Sequence, residues 1–299
     1  MAETIITSQL SKSYGKVLAL DSLDMEVRSG EVFGFLGPNG AGKTTTIRLL
    51  LDVLRPSGGS AKVLGLDPRN DNVELLKRVG YLPGDFVVDG RQSPRQYLTY
   101  LGNLRGGVSQ TSIENLSERF GLDLDLQIGS LSKGNRQKVG LVQAFMHEPE
   151  LLVLDEPTSG LDPLMAREFL AMVDEAREAG QTVFMSSHIL SEVQHVADRA
   201  AIIREGKLVA VDKVEELRAR ALRRVQVTFD GTVPDEAFTS VDGVTNVVVQ
   251  ENTLHCQLVG NADGLVKAAS RFTVVDFISE EPDLEELFFH YYEGGNDVA

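Results

Sequence analysis

A short glycine-rich run carries the groups that would bind a triphosphate. It reads Gly37-Pro38-Asn39-Gly40-Ala41-Gly42-Lys43-Thr44-Thr45 and fits the phosphate-binding loop (P-loop) template G-x-x-x-x-G-K-[ST]. Glycines let backbone N–H groups turn toward an anion, Lys43 can reach β- and γ-phosphates, and the Thr44 hydroxyl suits Mg²⁺. An ordinary strand–turn–helix would explain the glycines but not Lys-Thr at this offset. The run therefore predicts a nucleoside triphosphate site.

Two adjacent carboxylates could supply the hydrolytic chemistry. Asp155 and Glu156 follow the continuous apolar run from Leu151 to Leu154, which is typical of a central parallel strand buried on both faces. Open α/β sheets bind ligands at the carboxyl ends of such strands. Carboxylates at this place are costly unless a cation or substrate uses them. Asp155 thus fits a Mg²⁺ ligand, and Glu156 fits a general base that polarises water.

Three further positions have a structural as well as a chemical interpretation. Tyr14 could stack on an adenine, or it could be an ordinary half-exposed strand aromatic. Ser132 is an N-cap candidate for a helix that runs to Phe145, and such a helix start is either a second anion site or a plain cap. His188 follows a core strand, where it could donate to a γ-phosphate or cap the next helix. The residues alone leave these alternatives open.

The elements that must hold these groups alternate between strands and helices. Strand Val32–Leu36 leads into the P-loop, and a helix from Thr45 to Leu54 follows it. The segment from Ser93 to Met146 changes to a helical pattern, with Ser93-Pro94 as N-cap and first helical residue. This favours a helical subdomain at about residues 90–146 within an α/β domain. Strand Thr182–Met185 then leads to His188.

The remainder of the chain has a different order of predicted strands and helices. After a basic segment from Arg218 to Arg224, the order strand, helix, strand, strand, helix, strand runs from Val225 to Ile278, which is the ferredoxin-like pattern. A last helix is predicted from apolar residues at helical spacing: Leu284, Leu287, Phe288 and Tyr291. We therefore expect two domains, at residues 1–220 and 225–299.

Composition limits the partners and the compartment. Acidic residues outnumber basic ones by 44 to 29, a formal net charge of −15, which opposes binding along a phosphate backbone or purely electrostatic docking on an anionic membrane. The single cysteine, Cys256, suits a reducing cytosol, and we expect it to be a small buried strand residue. The start of the sequence lacks the features of a signal peptide, and no apolar run approaches the length of a membrane span.

Taken in order, the motifs between about Ile5 and Leu217 resemble those of ATP-binding cassette (ABC) ATPases. The matching positions are Tyr14 for the adenine-stacking aromatic, Gly37 to Thr45 for Walker A, Leu131-Ser132-Lys133-Gly134-Asn135 for the signature sequence, Leu152 to Glu156 for Walker B, Ser159 to Asp162 for the D-loop and His188 for the switch histidine. The tail resembles the C-terminal domain of ABC ATPases that serve multidrug and antibiotic exporters, most recognisably at Glu281 to Phe288.

The resemblance implies a fold and a mechanism. The fold would be a P-loop NTPase cassette with a mixed sheet core and a helical subdomain, followed by the small α+β domain. Two cassettes, identical or paralogous, would sandwich two ATP molecules with Mg²⁺, each ATP lying between one P-loop and the partner's signature sequence. Glu156 would activate water, and His188 would sense the γ-phosphate. Opening and closing would drive a separate membrane permease chain, so we expect a cytoplasmic protein held peripherally on the inner face of the membrane, with no nucleic acid partner.

Two rival functions belong to related classes of protein. Soluble ABC ATPases that act on DNA or ribosomes resemble this cassette, but they usually carry two cassettes or a long coiled-coil insert. This chain has one P-loop, no sustained heptads and an acidic balance. A regulatory module that binds nucleotide without hydrolysis is disfavoured because Glu156 is present.

The chain departs from the family pattern at two places. The signature usually reads Leu-Ser-Gly-Gly-Gln, and Lys133 and Asn135 differ from it. Where the family usually has a glutamine whose amide contacts Mg²⁺, this chain has Gly84, after Pro83. Because Pro-Gly is a turn signal, we expect Gly84 to supply a positive φ angle. The alternative is that the metal contact is simply missing or is made by Asp85.

Overall fold

The described residues form two compact units. The structure, a computed structural model, describes residues 2–88, 90–220 and 223–280. One unit ends at Val211 and the other begins at Asp212. This division precedes the basic segment from Arg218 to Arg224 that separates the two domains expected from the sequence.

The first unit alternates strands and helices, as the sequence predicts. Its elements, including the strand that crosses the division, are β1 Glu3–Tyr14, β2 Val17–Arg28, β3 Val32–Leu36, α1 Lys43–Leu50, β4 Gly58–Val63, α2 Asn72–Arg78, β5 Val79–Leu82, α3 Pro94–Leu104, α4 Gln110–Arg119, a 3-10 turn Ile128–Ser130, α5 Lys133–Phe145, β6 Leu151–Asp155, α6 Pro163–Glu178, β7 Thr182–Ser187, α7 Leu190–Val196, β8 Arg199–Arg204 and β9 Lys207–Lys213.

A six-stranded sheet organises this unit. Its order is β5-β6-β7-β3-β8-β9. The first five strands of that order, which include β3, are parallel to one another. Strands β3, β6 and β7 are buried at every residue, which explains why their sequences are apolar rather than alternating. Asp155 pairs with Ser186, and Leu36 with Ser187. The segments after β3, β6 and β7 therefore leave the sheet at one edge.

A smaller antiparallel sheet, of order β2-β1-β4, completes the strands of the unit. Its inward residues, such as Ile5 and Val27, join a core that also contains Phe33, Phe35 and Phe184. The rings of Phe33 and Phe184 stack at 5.9 Å between centroids. This packing supports the strands that carry the site.

Helices α3, α4 and α5 contact one another and occupy the predicted helical segment. Ser93 caps α3 as predicted, because its hydroxyl accepts from Gln96 N while the Gln96 side chain accepts from Ser93 N. Arg119 on α4 connects these helices to α6 through Nε–Oε1 and Nη1–Oε2 distances of 2.6 Å to Glu168 and Glu175. The helical segment is therefore attached to the sheet domain by charged groups as well as by packing.

The second unit contains the predicted split βαβ order. Its elements are α8 Val214–Arg220, β10 Arg223–Phe229, α9 Glu236–Thr239, β11 Val244–Gln250, β12 Thr253–Leu258, α10 Asp263–Ala269 and β13 Val274–Ser279. The antiparallel sheet has the order β11-β12-β10-β13, as a ferredoxin-like fold requires. Phe229, Phe238 and Phe272 pack together in its core.

Cys256 is buried on β12, as expected. The predicted last helix and the segment from Glu281 to Phe288 lie outside the described residues.

Several element boundaries differ from the sequence prediction, most clearly in α1 and β2. The helix after the P-loop runs from Lys43 to Leu50 instead of from Thr45 to Leu54, because Asp52 adopts a left-handed φ of 53° and ends it. The sequence pattern also indicates a short strand from Leu23 to Val27, whereas β2 extends from Val17 to Arg28. It pairs with β1 almost from end to end, so partner hydrogen bonds override the local pattern.

Candidate nucleotide-binding site

The backbone of the P-loop requires its glycines. Gly40 and Gly42 have φ angles of 82° and 113°, which side-chain-bearing residues rarely adopt. A Cβ on Gly37 would lie 2.5 Å from the Ile203 carbonyl oxygen, so the loop also depends on close backbone approach. Helix α1 begins directly after Gly42 without a side-chain cap. Its first-turn N–H groups have no intrahelical partner and can therefore bind an anion.

Lys43 lies inside the loop and is only 5% exposed. Its Nζ donates to the carbonyl oxygens of Gly37 at 2.6 Å and Pro38 at 3.2 Å. The same Nζ lies 3.1 Å from Oε1 of Glu156. A buried ammonium group is tolerated because carbonyls and a carboxylate surround it. The structure thus joins the P-loop lysine to the predicted general base.

Glu156 links the lysine to the predicted switch histidine. Its Oε2 lies 2.6 Å from Nδ1 of His188, and the two side chains are 19% and 49% exposed. The backbone of Glu156 has a left-handed φ of 49°, a conformation that costs on the order of 1–3 kcal/mol in a residue other than glycine. Its N–H compensates by bonding to the Ser186 carbonyl and hydroxyl oxygens, each at 3.2 Å.

Asp155 offers one free acceptor to a cation. The residue is fully buried, and Oδ1 accepts from the Ser186 hydroxyl at 2.6 Å. Oδ2 is also buried but has no hydrogen-bond partner within the described ranges, which is costly for a carboxylate. A divalent cation would compensate it, and Mg²⁺ typically takes one or two protein oxygens together with substrate phosphates. Asp155 therefore fits Mg²⁺, and the Thr44 hydroxyl stays a predicted ligand. Among the described residues, no group of three or more acidic, His or Cys side chains could hold a metal ion.

The expectation for Gly84 is wrong. Gly84 does not have a positive φ angle; instead, a Cβ there would lie 3.2 Å from Oδ2 and 3.3 Å from Cγ of Asp155. The pair Pro83-Gly84 indicates only a local turn. The space available to Gly84 is limited instead by Asp155 on β6, which is distant in sequence. Because Gly84 has no side chain, a small space stays open beside the unpartnered Oδ2 of Asp155.

The signature segment starts a helix, as predicted. Ser132 is the N-cap of α5, and its hydroxyl accepts from Asn135 N at 3.2 Å. Leu131 is buried, whereas Ser132 and Lys133 are exposed. A Cβ on Gly134 would lie 2.5 Å from the carbonyl oxygen of Gly160. Within one chain, this segment therefore packs on the turn that follows Glu156, while the contacts of Lys43 join the P-loop to Glu156 itself.

Tyr14 stands apart from these contacts. It ends β1 and is half exposed, and Nζ of Lys12 lies 5.2 Å from the centroid of its ring. Its face is already in contact with a cation, and its role as an adenine-stacking residue stays a prediction.

The sequence did not single out four residues that make hydrogen bonds at this site or at the turn that follows it. The Ser186 hydroxyl donates to Asp155 at the end of β6 and accepts from the backbone N–H of Glu156, the residue that follows β6. Gln137, which is buried on α5, donates to the Pro157 carbonyl oxygen at 3.0 Å. Thr158 donates to Glu192 on α7 at 2.9 Å. Burial raises the pKa of Glu192, and the negative charge of nearby Glu156 raises it further. A hydroxyl, an amide or a glutamate has no distinctive sequence signal for such a role.

Comparison with known proteins identifies the family. Residues 20–159 match the family described as ABC transporter. The chain is 37% identical over 226 residues to the bacitracin transport ATP-binding protein BcrA of Bacillus licheniformis, which covers 74% of this chain and 73% of that protein. It is 31% identical over 305 residues to the protein of the same name from Enterococcus faecalis, with 99% and 98% covered. The chain belongs to the ABC transporter ATP-binding proteins.

A solved structure of an ATP-binding subunit of an ABC transporter agrees with this cassette. Its TM-score is 0.66 at 28% identity, over 72% of this chain and 92% of that one. The predicted P-loop α/β fold and the predicted ABC ATPase family are thereby confirmed, and the chain is an ATP-binding, ATP-hydrolysing cassette. No helix in residues 2–88, 90–220 or 223–280 has the length and apolarity needed to cross a bilayer.

Proposed function

We propose that this ABC cassette is the ATP-hydrolysing subunit of a membrane exporter of the antibiotic or multidrug type, with a separate chain forming the membrane path. Two relatives are named for bacitracin transport, and one of them aligns over nearly the whole chain. The observation that carries the catalytic part is the continuous contact Lys43–Glu156–His188. The formal net charge of −15 favours this function over one on nucleic acid.

Each residue of the site has a distinct part in hydrolysis. Lys43 and the N–H groups at the start of α1 bind the phosphate oxygens and stabilise the charge that develops on them. Asp155 and Thr44 would hold Mg²⁺, which would supply positive charge to neutralise the phosphates. Glu156 takes a proton from the attacking water, and His188, in contact with Glu156, orients that carboxylate and donates toward the γ-phosphate. The left-handed backbone of Glu156 holds its side chain at the mouth of the P-loop.

The signature segment serves a second cassette in this proposal. Ser132 caps α5 and is exposed with Lys133, so the start of this helix can bind the γ-phosphate of an ATP held by another copy or by a paralogue. Gly134 packs on the turn at Gly160. A movement of the turn after Glu156 would therefore reach the surface that faces the partner cassette.

An exposed apolar surface suits the permease chain. Val73 and Leu76 on α2 and Tyr100 and Leu104 on α3 are exposed. Arg105 brings the two helix ends together, since its Nη1 donates to the Leu76 carbonyl oxygen at 3.1 Å. We infer that a cytoplasmic amphipathic helix of the permease docks here and holds the cassette on the inner face of the membrane.

The catalytic part of the proposal is tested with Glu156→Gln. We expect ATP binding to persist while hydrolysis falls by about 10² or more, the usual scale for loss of general-base help, and an ATP-bound dimer to accumulate in gel filtration. Glu178→Gln, an exposed glutamate at the end of α6, is the matched control. Full turnover of Glu156→Gln would exclude Glu156 as the base.

The exporter assignment needs its own experiment. The full chain carrying an affinity tag is purified from solubilised membranes of cells that express the whole transport system. We expect a multispan membrane protein to co-purify and nucleic acid to be absent. Leu104→Asp should weaken this co-purification and leave ATP affinity unchanged. Recovery of ribosomes or DNA without a membrane protein would contradict the exporter function.

A further inference from the structure

Glu192 on α7 is a carboxylate that the mechanism above does not use. Its Oε2 accepts from the Thr158 hydroxyl at 2.9 Å and from the Ser187 hydroxyl at 3.2 Å. Thr158 lies two residues after Glu156, and Ser187 lies immediately before His188. One carboxylate oxygen thus joins the segment that carries the general base to the segment that carries the histidine.

This junction begins where the sheet ends. The backbone ladder between β6 and β7 finishes at the pair Asp155 and Ser186. One residue further on, the Glu156 N–H still bonds to Ser186. Beyond that point the link is made through side chains. Thr158 and Ser187 are both buried, so their hydroxyl groups need acceptors within the protein, and Glu192 accepts from both.

The Thr158 bond is the stronger of the two. The Ser187 hydroxyl has a second acceptor, since it lies 3.3 Å from the Ile189 carbonyl oxygen. Thr158 gives the shorter bond, to Glu192. Removing either end of this pair should therefore free the turn after Glu156 from α7, while the turn at Ser187 keeps an alternative partner.

The position of Glu192 is electrostatically unfavourable. Its carboxylate is partly buried and lies near the negative charge of Glu156, and burial of like charges is costly. The two hydroxyl donors offset part of this cost. Because Glu192 touches neither the P-loop lysine nor the predicted metal ligand in the contacts above, its effect on hydrolysis must pass through Glu156 and His188.

We propose that Glu192 is a positioning residue for ATP hydrolysis. It clamps the Thr158 turn to the end of β7 and so maintains the 2.6 Å contact between Glu156 and His188. This inference rests on the proposed function, because it assigns a role in the same hydrolytic step. A general base displaced by about 1 Å can lose about 10²-fold in rate, so a remote clamp of this kind can control turnover without contacting ATP.

The experiment compares Glu192→Ala, Glu192→Gln and Thr158→Val in the full chain by steady-state ATP hydrolysis. We expect Glu192→Ala and Thr158→Val each to lower kcat by about tenfold or more, with KM for ATP within about twofold, because the effect is on the transition state rather than on binding. Glu192→Gln should retain kcat within about threefold, since its amide oxygen still accepts from Thr158. Glu178→Ala, at the exposed end of α6, controls for loss of a glutamate.

A double variant tests whether the two residues act as one unit. Glu192→Ala with Thr158→Val should be no slower than either single variant, because both remove the same bond. Additive losses, or equal losses in Glu192→Ala and Glu192→Gln, would overturn the positioning role. If Glu192→Ala does not fold, as judged by circular dichroism, Thr158→Val against Thr158→Ser gives the same comparison.

The two proposals fail in different ways. Glu156→Gln is measured in the same assay. If Glu156→Gln is inactive and Glu192→Ala turns over normally, the clamp is overturned and the proposed base stands. If Glu156→Gln turns over normally, the base assignment fails, and with it the route by which Glu192 would act.

Discussion

A side chain on Gly84 would begin 3.2 Å from Oδ2 of Asp155, the buried carboxylate oxygen that has no hydrogen-bond partner among the described residues. Carbon atoms in ordinary contact lie about 3.5–4.0 Å from their neighbours, so any Cβ here would press on the predicted metal ligand. Because the φ angle of Gly84 is not left-handed, the restriction comes from space beside Asp155 and not from backbone strain.

Gly84→Ala should therefore impair the metal site without unfolding the protein. We expect the Mg²⁺ concentration for half-maximal hydrolysis to rise several-fold, while metal-free ATP binding is unchanged. The melting temperature should change little, since the gain of about 0.4–1 kcal/mol that Gly→Ala gives through the unfolded state offsets the crowding against Asp155. Hydrolysis is measured against Mg²⁺ concentration. Gly58→Ala is the control, because its Cβ would meet only Ser11 Cβ at 3.8 Å.

The comparison with Gly84→Gln separates crowding from a missing ligand. The glutamine usual in the family would add the same Cβ together with an amide oxygen that can bind Mg²⁺. We expect it to be more active than Gly84→Ala. Equal activity of the two variants would mean that crowding alone matters, and a large loss of stability in both would contradict the compatible backbone.

Lys43→Ala should abolish tight ATP binding. Lys43 is the buried cation of the P-loop, and it now contacts two loop carbonyls and Glu156. A hydrogen bond to a charged group contributes about 1.5–3 kcal/mol, so each bond lost to the phosphates should lower the affinity by about 10- to 10²-fold. Calorimetry with ATP measures it, and Lys62→Ala, an exposed lysine on β4, should bind normally. Unchanged affinity in Lys43→Ala would refute the P-loop assignment.

Local sequence signals were sufficient for most of the fold. The P-loop template, the apolar run of β6 and the caps at Ser93 and Ser132 each depend on residues close in sequence. Their physical causes are hydrogen bonds and burial patterns of single elements. The same holds for the strand–helix order of the second unit.

The supporting contacts of the site could not be predicted in this way. Each contact joins residues from different elements. Ser186 bonds to Asp155, Glu192 bonds to Thr158, and Gln137 bonds to the Pro157 carbonyl oxygen. Such contacts are set by which strands become neighbours, and a serine or glutamine has many uses on any surface. The wrong expectation for Gly84 has the same origin, since a local turn signal concealed a tertiary contact.

His147 should make stability dependent on pH. Arg105 Nη1 lies 2.6 Å from His147 Nε2. Since Arg only donates, Nε2 must be the unprotonated acceptor. Burial, followed by the charge of Arg105, lowers the pKa of His147 from 6.5 to about 4. The folded state therefore holds a neutral imidazole, and protonation would bring two cations together.

The direction of this pH dependence follows from the number of protons that each state binds. Between pH 6.5 and about pH 4 the unfolded state binds more protons than the folded state. The contribution of His147 to the free energy of unfolding is therefore fully present above pH 6.5 and is lost as the pH falls toward about 4. After a discount for partial exposure, the loss is about 1–3 kcal/mol. Urea unfolding at about pH 7.5 and about pH 5 measures it. His147→Gln should reduce the difference, whereas His255→Gln, exposed on β12, should preserve it. An equal difference in all three proteins would exclude His147 as the cause.

The last prediction concerns the second unit. We propose that it is a dimerisation or regulatory domain, because Lys43, Glu156 and His188 all lie in the first unit, while β10–β13 enclose a core of their own. A chain that ends at Arg220 should bind ATP within about twofold of the full chain, since every nucleotide contact is kept. It should lose dimer stability or coupling to the permease.

A second truncation, at Glu280, tells the domain apart from the segment that follows it. This chain keeps β10–β13 and removes the aromatic residues Phe288, Phe289, Tyr291 and Tyr292. ATP affinity, the dimer fraction in sedimentation and transport by the reconstituted exporter are measured for both truncations. If only the shorter chain loses dimers, the sheet domain makes the contact. If both lose them equally, the final segment makes the contact. Loss of ATP binding in the chain ending at Arg220 would mean that the second unit supports the cassette itself, and the proposed independence would be wrong.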